Sequence, residues 1–285
     1  MKALKLMYAF LLICTITLAN SYAAAEQFKI AIMQDEKGAA QKYTPLVTYL
    51  QNKGVEVSFV GAQNYPAAAQ MFADRKVDAM FSGSGVAGTM IIKDLATPVV
   101  RPVSKEGHST YWAVVLAPKG SPKFTGSAGY FKGKKVIFTA LATSGEFYFH
   151  SIPDIKSVNA TVQTAASHGA AIDALSKGVA DVAIVKNRIW DKMKKDYPNL
   201  MAVGGDNGEN PDSTLIVSRK AEAGTVSKVS KALLSLKDDM SPQAQAVREQ
   251  LNIQGYIKTT TADFKHTLEV LKMAGVDKSF NFTFK

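Results

Sequence analysis

A helix–strand unit of one length occurs twice in the chain. NYPAAAQMFADRKVDAMF reaches Asp78 thirteen residues after Tyr65, and SHGAAIDALSKGVADVAIV reaches Asp181 thirteen residues after His168. In each copy a short polar residue precedes an aromatic ring, an alanine-rich helix follows, and an acidic residue comes just before an apolar strand. Two α/β lobes built on one plan, with a ligand cleft between them, would explain the repeat. Chance similarity of two common helix–strand units is the alternative.

The rest of the chain alternates short apolar strands with helical patterns. FKIAIM predicts a first strand, and the next segment places Tyr43, Leu46, Val47 and Leu50 at helical spacing, with Gly54 as its end. STYWAVVLA and KKVIFTA predict further strands. Three C-terminal segments, TVSKVSKALLSLKDD, SPQAQAVREQLNI and TTADFKHTLEVLKMAG, have amphipathic helical spacing, and we expect their apolar faces to cover the first lobe. The sequence therefore predicts an α/β fold with largely parallel sheets.

The N-terminus has the three parts of a secretory signal peptide. Residues 1–25 contain two lysines, then an apolar run, then three alanines that end at Ala25. This predicts cleavage and a periplasmic location, and no later stretch approaches the ~20 apolar residues of a membrane-spanning helix. The only cysteine, Cys14, lies in the leader, so the mature chain cannot form disulfides or use a thiol. About 260 residues remain, enough for one or two domains.

The charge balance favours anionic partners only mildly. The sequence has 34 lysine and arginine residues against 24 acidic residues, for a net charge of +10, and solvated lysines explain such an excess equally well. Nucleic acid is disfavoured because no dense basic run has interleaved aromatic residues. The four histidines, at positions 108, 150, 168 and 266, lack the spacing of a metal site. We expect no metal, no other cofactor, and an exposed His266.

The segment FTALATSGEF carries the residues with the most chemical information. A strand at residues 135–139 leads into a short loop, where Thr143 or Ser144 is placed to cap a following helix. Since the first turn of a helix exposes unpaired N–H groups, Thr143, Ser144 and Gly145 also match a cradle for a phosphate-like anion. From spacing alone the cap is the simpler interpretation. A nucleophilic serine is disfavoured, because the segment is not G-x-S-x-G and no His–Asp spacing marks a triad.

Five parts of the sequence together resemble a known family of binding proteins. They are YTPLVTYLQNKGVEV, NYPAAAQMFADRKVDAMFSG, ATSGEF, ASHGAAIDALSKGVADVAIV and the Tyr-Trp pair of STYWAVVLA, which between them cover most of the chain from Tyr43 to Asp191. Their order and spacing resemble the phosphate/phosphite/phosphonate-binding (PhnD-like) periplasmic substrate-binding proteins of ABC transporters. The resemblance implies a type II periplasmic-binding-protein fold, in which two α/β lobes joined by hinge strands close on a ligand.

The same resemblance implies a domain division and a function. Lobe one would comprise residues 26–116 and 218–285, and lobe two residues 117–217, with hinges near WAVVLA and TLIVSR. The implied ligand is a small anion of the phosphate, phosphite or phosphonate class, and the implied partner an inner-membrane ABC permease. We expect a monomer that is not an enzyme. A protein of this fold that presents its ligand to a sensor is one alternative, and a hydrolase that uses Ser144 with His168 is another.

The resemblance also implies a set of ligand-binding residues. The family's Ser-Thr-Ser-Gly loop falls on residues 142–145, where Ala142 lacks the first hydroxyl. His168 would donate to the anion and select its protonation state near neutral pH. Each aromatic or histidine candidate has a structural alternative as a packed helix-start or strand residue. The residues implied, apart from Arg188, are Thr143, Ser144, Gly145, His168, Tyr65, Ser82 and Tyr111.

Arg188 marks a departure from the family. In members that hold an aminophosphonate, acidic residues face the amine, and one of these positions falls on Arg188 while another falls near residues 212–214. Because a guanidinium prefers an anionic group, we expect Arg188 to favour a ligand with a second anionic group or a carboxylate. A simple aminoalkylphosphonate is therefore predicted to be a poor ligand. The alternative is that Arg188 is a solvated helix residue.

Overall fold

The computed structural model describes residues 27–33 and 40–284, so the predicted signal peptide lies outside the described residues. The strands are β1 (Phe28–Met33), β2 (Val57–Ala62), β3 (Ala79–Ser82), β4 (Ala96–Ser104), β5 (Thr110–Tyr111), β6 (Ala113–Pro118), β7 (Lys135–Thr139), β8 (Thr161–Ala165), β9 (Val182–Lys186), β10 (Leu200–Gly205), β11 (Asn210–Pro211), β12 (Thr214–Ser218) and β13 (Ile253–Lys258). The α-helices are α1 (Thr44–Asn52), α2 (Tyr65–Ala73), α3 (Ser84–Ile92), α4 (Tyr148–Ser151), α5 (His168–Ser176), α6 (Asn187–Met193), α7 (Ala223–Ser235), α8 (Pro242–Gln250) and α9 (Lys265–Met273). Short 3₁₀ turns occupy Ala40–Tyr43, Ala128–Phe131, Ile155–Ser157 and Thr261–Phe264. Within the described part of the chain, no helix is long and apolar enough to cross a membrane.

Two larger sheets organise the fold. One has the order β13-β4-β12-β3-β1-β2 and the other β10-β6-β9-β7-β8. Strands β2, β1 and β3 are parallel, as are β8, β7 and β9, whereas the remaining pairs of both sheets are antiparallel. The predicted α/β class is confirmed, but the expectation of largely parallel sheets is wrong. A parallel pair of neighbouring strands needs a crossover, usually a helix, that returns to the same sheet. The chain instead reaches β6 and β12 directly from the other larger sheet, and both strands pair antiparallel with their neighbours.

The chain changes sheets twice. It leaves the six-stranded sheet after β4 and joins the five-stranded sheet at β6, and it returns between β10 and β12. On the two crossing segments, β5 and β11 pair antiparallel as a separate two-stranded ribbon. The predicted boundaries at residues 116 and 217 fall inside β6 and β12. The chain passes from one sheet to the other just before each of these strands. The division into two lobes stays a prediction.

The repeated unit has the same local structure in both sheets. Helices α2 and α5 each have nine residues. The Asn64 side chain caps α2 by accepting from Ala67 N–H at 2.9 Å, and the Ser167 hydroxyl caps α5 by accepting from Ala170 N–H at 3.2 Å. A short polar side chain before the aromatic ring is therefore an N-cap in each copy.

The acidic residue of the repeat ties neighbouring parallel strands together. Asp78 Oδ2 accepts a hydrogen bond from Lys29 N–H, at the start of β1, at 2.9 Å. Asp181 Oδ2 accepts the matching bond from Lys135 N–H, at the start of β7, at 2.8 Å. Since caps, helix lengths and carboxylate contacts all correspond, the similarity of the two units is structural and not a coincidence of composition.

Helices cover both faces of each larger sheet. Along β1, Ile30 packs in a cluster with α7 residues such as Leu233, while the adjacent Ala31 packs in another cluster with α9 residues such as Leu271. This alternation follows from the two-residue period of a strand. The predicted packing of the C-terminal helices on the first sheet is confirmed. The expectation that His266 is exposed is wrong. Its side chain is half-buried, and its Nε2 lies 2.8 Å from Oδ2 of Asp206, which follows β10.

Candidate functional site

Residues from both larger sheets line a cavity of about 150 Å³, which we call the inner chamber. Most of the lining lies at carboxyl ends of strands or at the starts of the helices that follow them. Ligands of open α/β sheets bind at this edge. The lining residues are Tyr65, Gly83, Tyr111, Ala142, His168, Lys186, Ile189, Asp212 and Ser213.

Three buried hydroxyls form a chain beside the inner chamber. Ser84 Oγ lies 2.6 Å from Tyr111 Oη and 2.8 Å from Thr143 Oγ1. Burial raises the pKa of Tyr111 to about 12, so its phenol keeps its proton. Three hydroxyl groups carry three protons, and two oxygen–oxygen contacts use only two of them. The chain therefore retains one O–H that can be donated to a further acceptor, such as an anion.

The loop that carries Thr143 is not a capped helix start, and the cap interpretation is wrong. No side chain caps the turn Thr143–Phe147, and Phe147 N–H donates to Ala142 O at 3.2 Å, one residue further back than in an α-helix. Ser144 has ψ 45° and Gly145 has ψ −112°, so both leave helical conformation. The regular helix that follows, α4, has only four residues.

Two contacts explain the wide turn. Glu146 Oε2 accepts from Leu141 N–H at 2.7 Å and so folds the loop back on itself, while burial raises the pKa of the Glu146 carboxyl. Gly145 passes so close to the preceding strand that a Cβ would lie 2.9 Å from Thr139 O. A larger residue at position 145 would therefore push the loop away from β7.

Ser144 has an unusual environment. The residue is 1 % exposed, and its Oγ has no hydrogen-bond partner among the residues that the structure describes. A buried hydroxyl without a partner costs about 1–3 kcal/mol. Such a group calls for a specific explanation, and a role in ligand binding is one. Neither Ser144 nor Gly145 contributes to the inner-chamber lining, which takes only Ala142 from this loop.

His168 and Tyr65 occupy matching places, each as the first residue of a nine-residue helix, and both line the inner chamber. His168 Nδ1 lies 3.5 Å from Thr139 Oγ1. Burial, aided by the charge of Lys186, lowers the pKa of His168 to about 3. The ring is therefore neutral near pH 7, contrary to the expectation that it titrates there, and it can offer one N–H donor.

An ion pair also lines the inner chamber. Lys186 Nζ lies 2.6 Å from Asp212 Oδ1, with each side chain 19 % exposed, and 4.6 Å from the centre of the Tyr111 ring. Asp212 Oδ1 additionally accepts from Ser213 Oγ at 3.2 Å. Because Asp212 offsets the lysine, the chamber has little net charge and offers mainly hydrogen-bond donors. Residues 27–33 and 40–284 include no group of His, Cys, Asp or Glu arranged to hold a metal ion.

The family model described as "ABC transporter, phosphonate, periplasmic substrate-binding protein" matches residues 28–264. The chain belongs to this family. It has the type II periplasmic-binding-protein fold that was expected from the resemblance. No curated protein matches the chain.

Solved structures agree with the family fold. XAC2383 from Xanthomonas citri bound to ATP has a TM-score of 0.71 at 14% identity, with 87% of this chain and 96% of that chain covered. PhnD1 from Prochlorococcus marinus in complex with methylphosphonate has 0.70 at 16% identity, covering 87% and 98%. A binding protein component of an ABC phosphonate transporter from Pseudomonas aeruginosa has 0.68 at 15% identity, covering 87% and 86%.

The family-derived residues fall into different places in this fold. Tyr65, Tyr111 and His168 line the inner chamber, and Thr143 reaches it through the hydroxyl chain. Ser82 does not line it. Its Oγ donates instead to the adjacent carbonyl of Gly83 at 2.9 Å. Within the described residues, no hydrogen bond joins Ser144 to His168, as a serine hydrolase would need.

Arg188 lies in a second cavity and not in the inner chamber. This outer chamber has a volume of about 450 Å³ and shares Lys186, Ile189, Asp212 and Ser213 with the inner one. Arg188 Nε donates to Thr110 O at 2.7 Å, so the half-buried side chain is anchored on the cavity wall.

Two residues of the site were missed by sequence reasoning. Ser84 stands two positions beyond the predicted Ser82 in SGSGVAG, and Lys186 ends the buried strand VAIVK. Their positions at carboxyl ends of strands were the available signal.

Proposed function

We propose that this family member captures a small oxyanion of the phosphate, phosphite or phosphonate class in the inner chamber and delivers it to an inner-membrane ABC permease. The observation that carries the proposal is the hydroxyl chain Tyr111–Ser84–Thr143, which joins the two sheets beside the chamber and leaves one proton to donate. An oxyanion is an acceptor with several lone pairs, so it fits a wall of donors.

The size and charge of the inner chamber support a tetrahedral anion. At about 150 Å³ the inner chamber is smaller than the ~300–1,000 Å³ of sites that enclose a whole organic ligand, which suits an oxyanion with one short substituent. Neutral His168 and the hydroxyls supply donors, and Lys186 adds a cation that Asp212 partly offsets. Charge-assisted hydrogen bonds to the anion would favour a closed arrangement of the two sheets.

Two structural neighbours were solved with compounds that contain a tetrahedral phosphorus bearing oxygen atoms, namely methylphosphonate and ATP. We take the six-stranded sheet with its helices as lobe one and the five-stranded sheet with its helices as lobe two. On this proposal the signal peptide at residues 1–25 exports a periplasmic, monomeric protein, and β5 and β11 lie on the hinge.

The first test is a thermal-shift panel on the mature protein after unfolding and refolding to remove bound ligand. The panel contains phosphate, phosphite, methylphosphonate, sulfate and acetate. A ligand at ~100 times its dissociation constant adds ~2.7 kcal/mol to the free energy of unfolding, so a selective rise of the melting temperature with one phosphorus oxyanion is expected. Equal shifts with sulfate or acetate, or no shift with any phosphorus compound, would overturn the proposal.

A further inference from the structure

We propose that the outer chamber holds an organic arm of the ligand, and that Arg188 binds an anionic group at the far end of that arm. This inference rests on the proposed function, because it assigns the phosphorus end of the ligand to the inner chamber. It narrows the ligand from a bare oxyanion to an organophosphorus compound with a second acidic group.

The two chambers are adjacent. Lys186, Ile189, Asp212 and Ser213 line both of them, so a substituent of an anion in the inner chamber would reach the outer one by passing these residues. The outer chamber has about three times the volume of the inner one. The combined volume, roughly 600 Å³, lies in the range of sites that enclose an organic ligand, ~300–1,000 Å³. A bare oxyanion would leave most of it filled only with water.

One wall of the outer chamber is aromatic. Tyr43, Phe81 and Tyr256 all line it, with the Tyr43 and Phe81 ring centres 5.8 Å apart and those of Phe81 and Tyr256 5.9 Å apart. Phe81 and Tyr256 are buried in the core of the six-stranded sheet, so this wall is held in place. A carbon arm gains free energy by covering such a surface.

Three cations, Lys186, Arg188 and Lys192, also line the outer chamber, and of these only Arg188 lacks an acidic neighbour among the described residues. Lys186 is paired with Asp212. A hydrogen bond from Ser104 and, to a smaller extent, the charge of Lys192 lower the pKa of the Glu106 carboxyl, so Lys192 also has an acidic neighbour. Asp191 also lines the chamber, but Lys194 holds it at 2.9 Å. Among the described residues, no carboxylate lies within ion-pair distance of Arg188.

Arg188 is also oriented for a ligand. Its Nε donates to Thr110 O at 2.7 Å, which anchors the guanidinium and leaves both terminal nitrogens without a partner in the described part of the chain. A guanidinium presents these nitrogens as a fork that matches the two oxygens of a carboxylate or phosphate. Glu106, Asp191 and Asp212 also line this chamber, but each lies near a lysine, so Arg188 is the group that remains to bind an anion at the end of the arm.

Titration calorimetry on the ligand-stripped protein tests this with matched arms. Propylphosphonate, 2-aminoethylphosphonate and 3-phosphonopropionate share a two-carbon spacer that ends in methyl, ammonium and carboxylate, and methylphosphonate serves as the ligand without an arm. A second pair, pentylphosphonate and 5-phosphonopentanoate, covers a longer reach. We expect a carboxylate to improve binding about tenfold or more over the neutral arm in at least one pair, and the ammonium to weaken it.

Variants assign the effect to Arg188. We define the carboxylate advantage as the affinity of a carboxylate-ended ligand divided by that of its methyl-ended partner. In Arg188→Gln this ratio should fall to within about twofold, while methylphosphonate affinity changes less than about threefold. Arg188→Lys should keep part of the ratio. Lys195→Gln removes the same charge from an exposed residue near the same helix, outside both chamber linings, and should leave the advantage unchanged. Melting temperatures of the ligand-free variants control for folding.

The outcomes separate the two proposals. If methylphosphonate binds but neither carboxylate-ended ligand gains over its neutral partner, or if the gain survives Arg188→Gln, the inference fails and the proposed function stands. If no phosphorus compound binds, both the proposed function and this inference fail.

Discussion

The hydroxyl oxygens of Ser84 and Thr143 lie 2.8 Å apart, although the two residues follow strands of different sheets. Ser84 starts α3 after β3, and Thr143 belongs to the loop after β7. Close packing allows this contact: at Gly85 a Cβ would lie 2.6 Å from the Phe147 ring and 2.8 Å from Leu141 O. The hydroxyl chain therefore links the two sheets at the edge where the proposed ligand binds.

Replacing Ser84 by alanine should reduce both stability and ligand affinity. Ser84 is fully buried and is the partner of both Tyr111 and Thr143, so its loss leaves two buried hydroxyls short of a hydrogen bond. We expect the free energy of unfolding to fall by about 1–3 kcal/mol in urea denaturation. The matched control is Ser82→Ala, since Ser82 Oγ bonds only to the adjacent Gly83 carbonyl. Equal losses of unfolding free energy in the two variants would contradict the role of the hydroxyl chain.

Replacing Ser144 by alanine should separate binding from stability. Its Oγ has no partner among the described residues, so the variant loses no hydrogen bond in the ligand-free protein. We expect unfolding free energy to stay the same or to rise by up to about 1 kcal/mol. If Ser144 donates to the bound anion, affinity for the best phosphorus ligand should fall about tenfold in calorimetry. Unchanged affinity would remove Ser144 from the proposed site.

The repeated unit was the part of the fold that sequence described best. Its caps, its helix length and its acidic residue depend on contacts within a short segment or with the next strand, so Asp78 and Asp181 could be paired by counting. The antiparallel strands could not be predicted in this way. Their direction depends on the chain crossing between sheets, which leaves no periodic signal in β6 or β12.

The site was only partly predictable, because side-chain direction depends on turns. The family resemblance pointed to Ser82 in the hydroxyl-rich SGSG segment, but the turn between β3 and α3 directs Ser84, and not Ser82, toward Tyr111. The wide turn after β7 depends on Glu146 folding back onto Leu141 N–H. It also depends on distant packing, since the Phe147 ring lies 5.5 Å from that of Phe284 at the C-terminus.

Replacing Asp212 by asparagine should strengthen anion binding and weaken the fold. The change removes the carboxylate that offsets Lys186 beside the inner chamber. We expect affinity for a dianionic ligand to rise about tenfold at low salt and unfolding free energy to fall by about 1–3 kcal/mol, because the pair is only partly buried. Asp173→Asn, which breaks an exposed pair with Lys177, is the control and should change neither by much. Weaker anion binding in Asp212→Asn would contradict this assignment.

Replacing His168 by glutamine should lower affinity without changing its pH profile. Burial lowers the pKa of His168 to about 3, so the ring stays neutral between pH 6 and 8, and its charge does not change there. We expect wild type and variant to show parallel affinity curves over this range, separated by a constant factor of about ten from the lost or displaced donor. Calorimetry at several pH values is the measurement. A pH-dependent step present only in the wild type would show that ligand binding brings His168 into the neutral range.

The Asp206–His266 pair should make stability depend on pH. Asp206 lies 2.8 Å from His266 Nε2 and, with a smaller contribution from Glu269, raises the pKa of the imidazole in the folded protein. A raised folded-state pKa means that the stabilisation is fully present below the unfolded pKa of about 6.5 and is lost as pH rises through the higher folded value. Urea denaturation at pH 5.5, 7 and 8.5 should show wild type exceeding His266→Gln by a margin that shrinks by about 1 kcal/mol as pH rises. Asp206→Asn should remove most of that pH dependence, and a margin independent of pH would mean that the ring contributes packing alone.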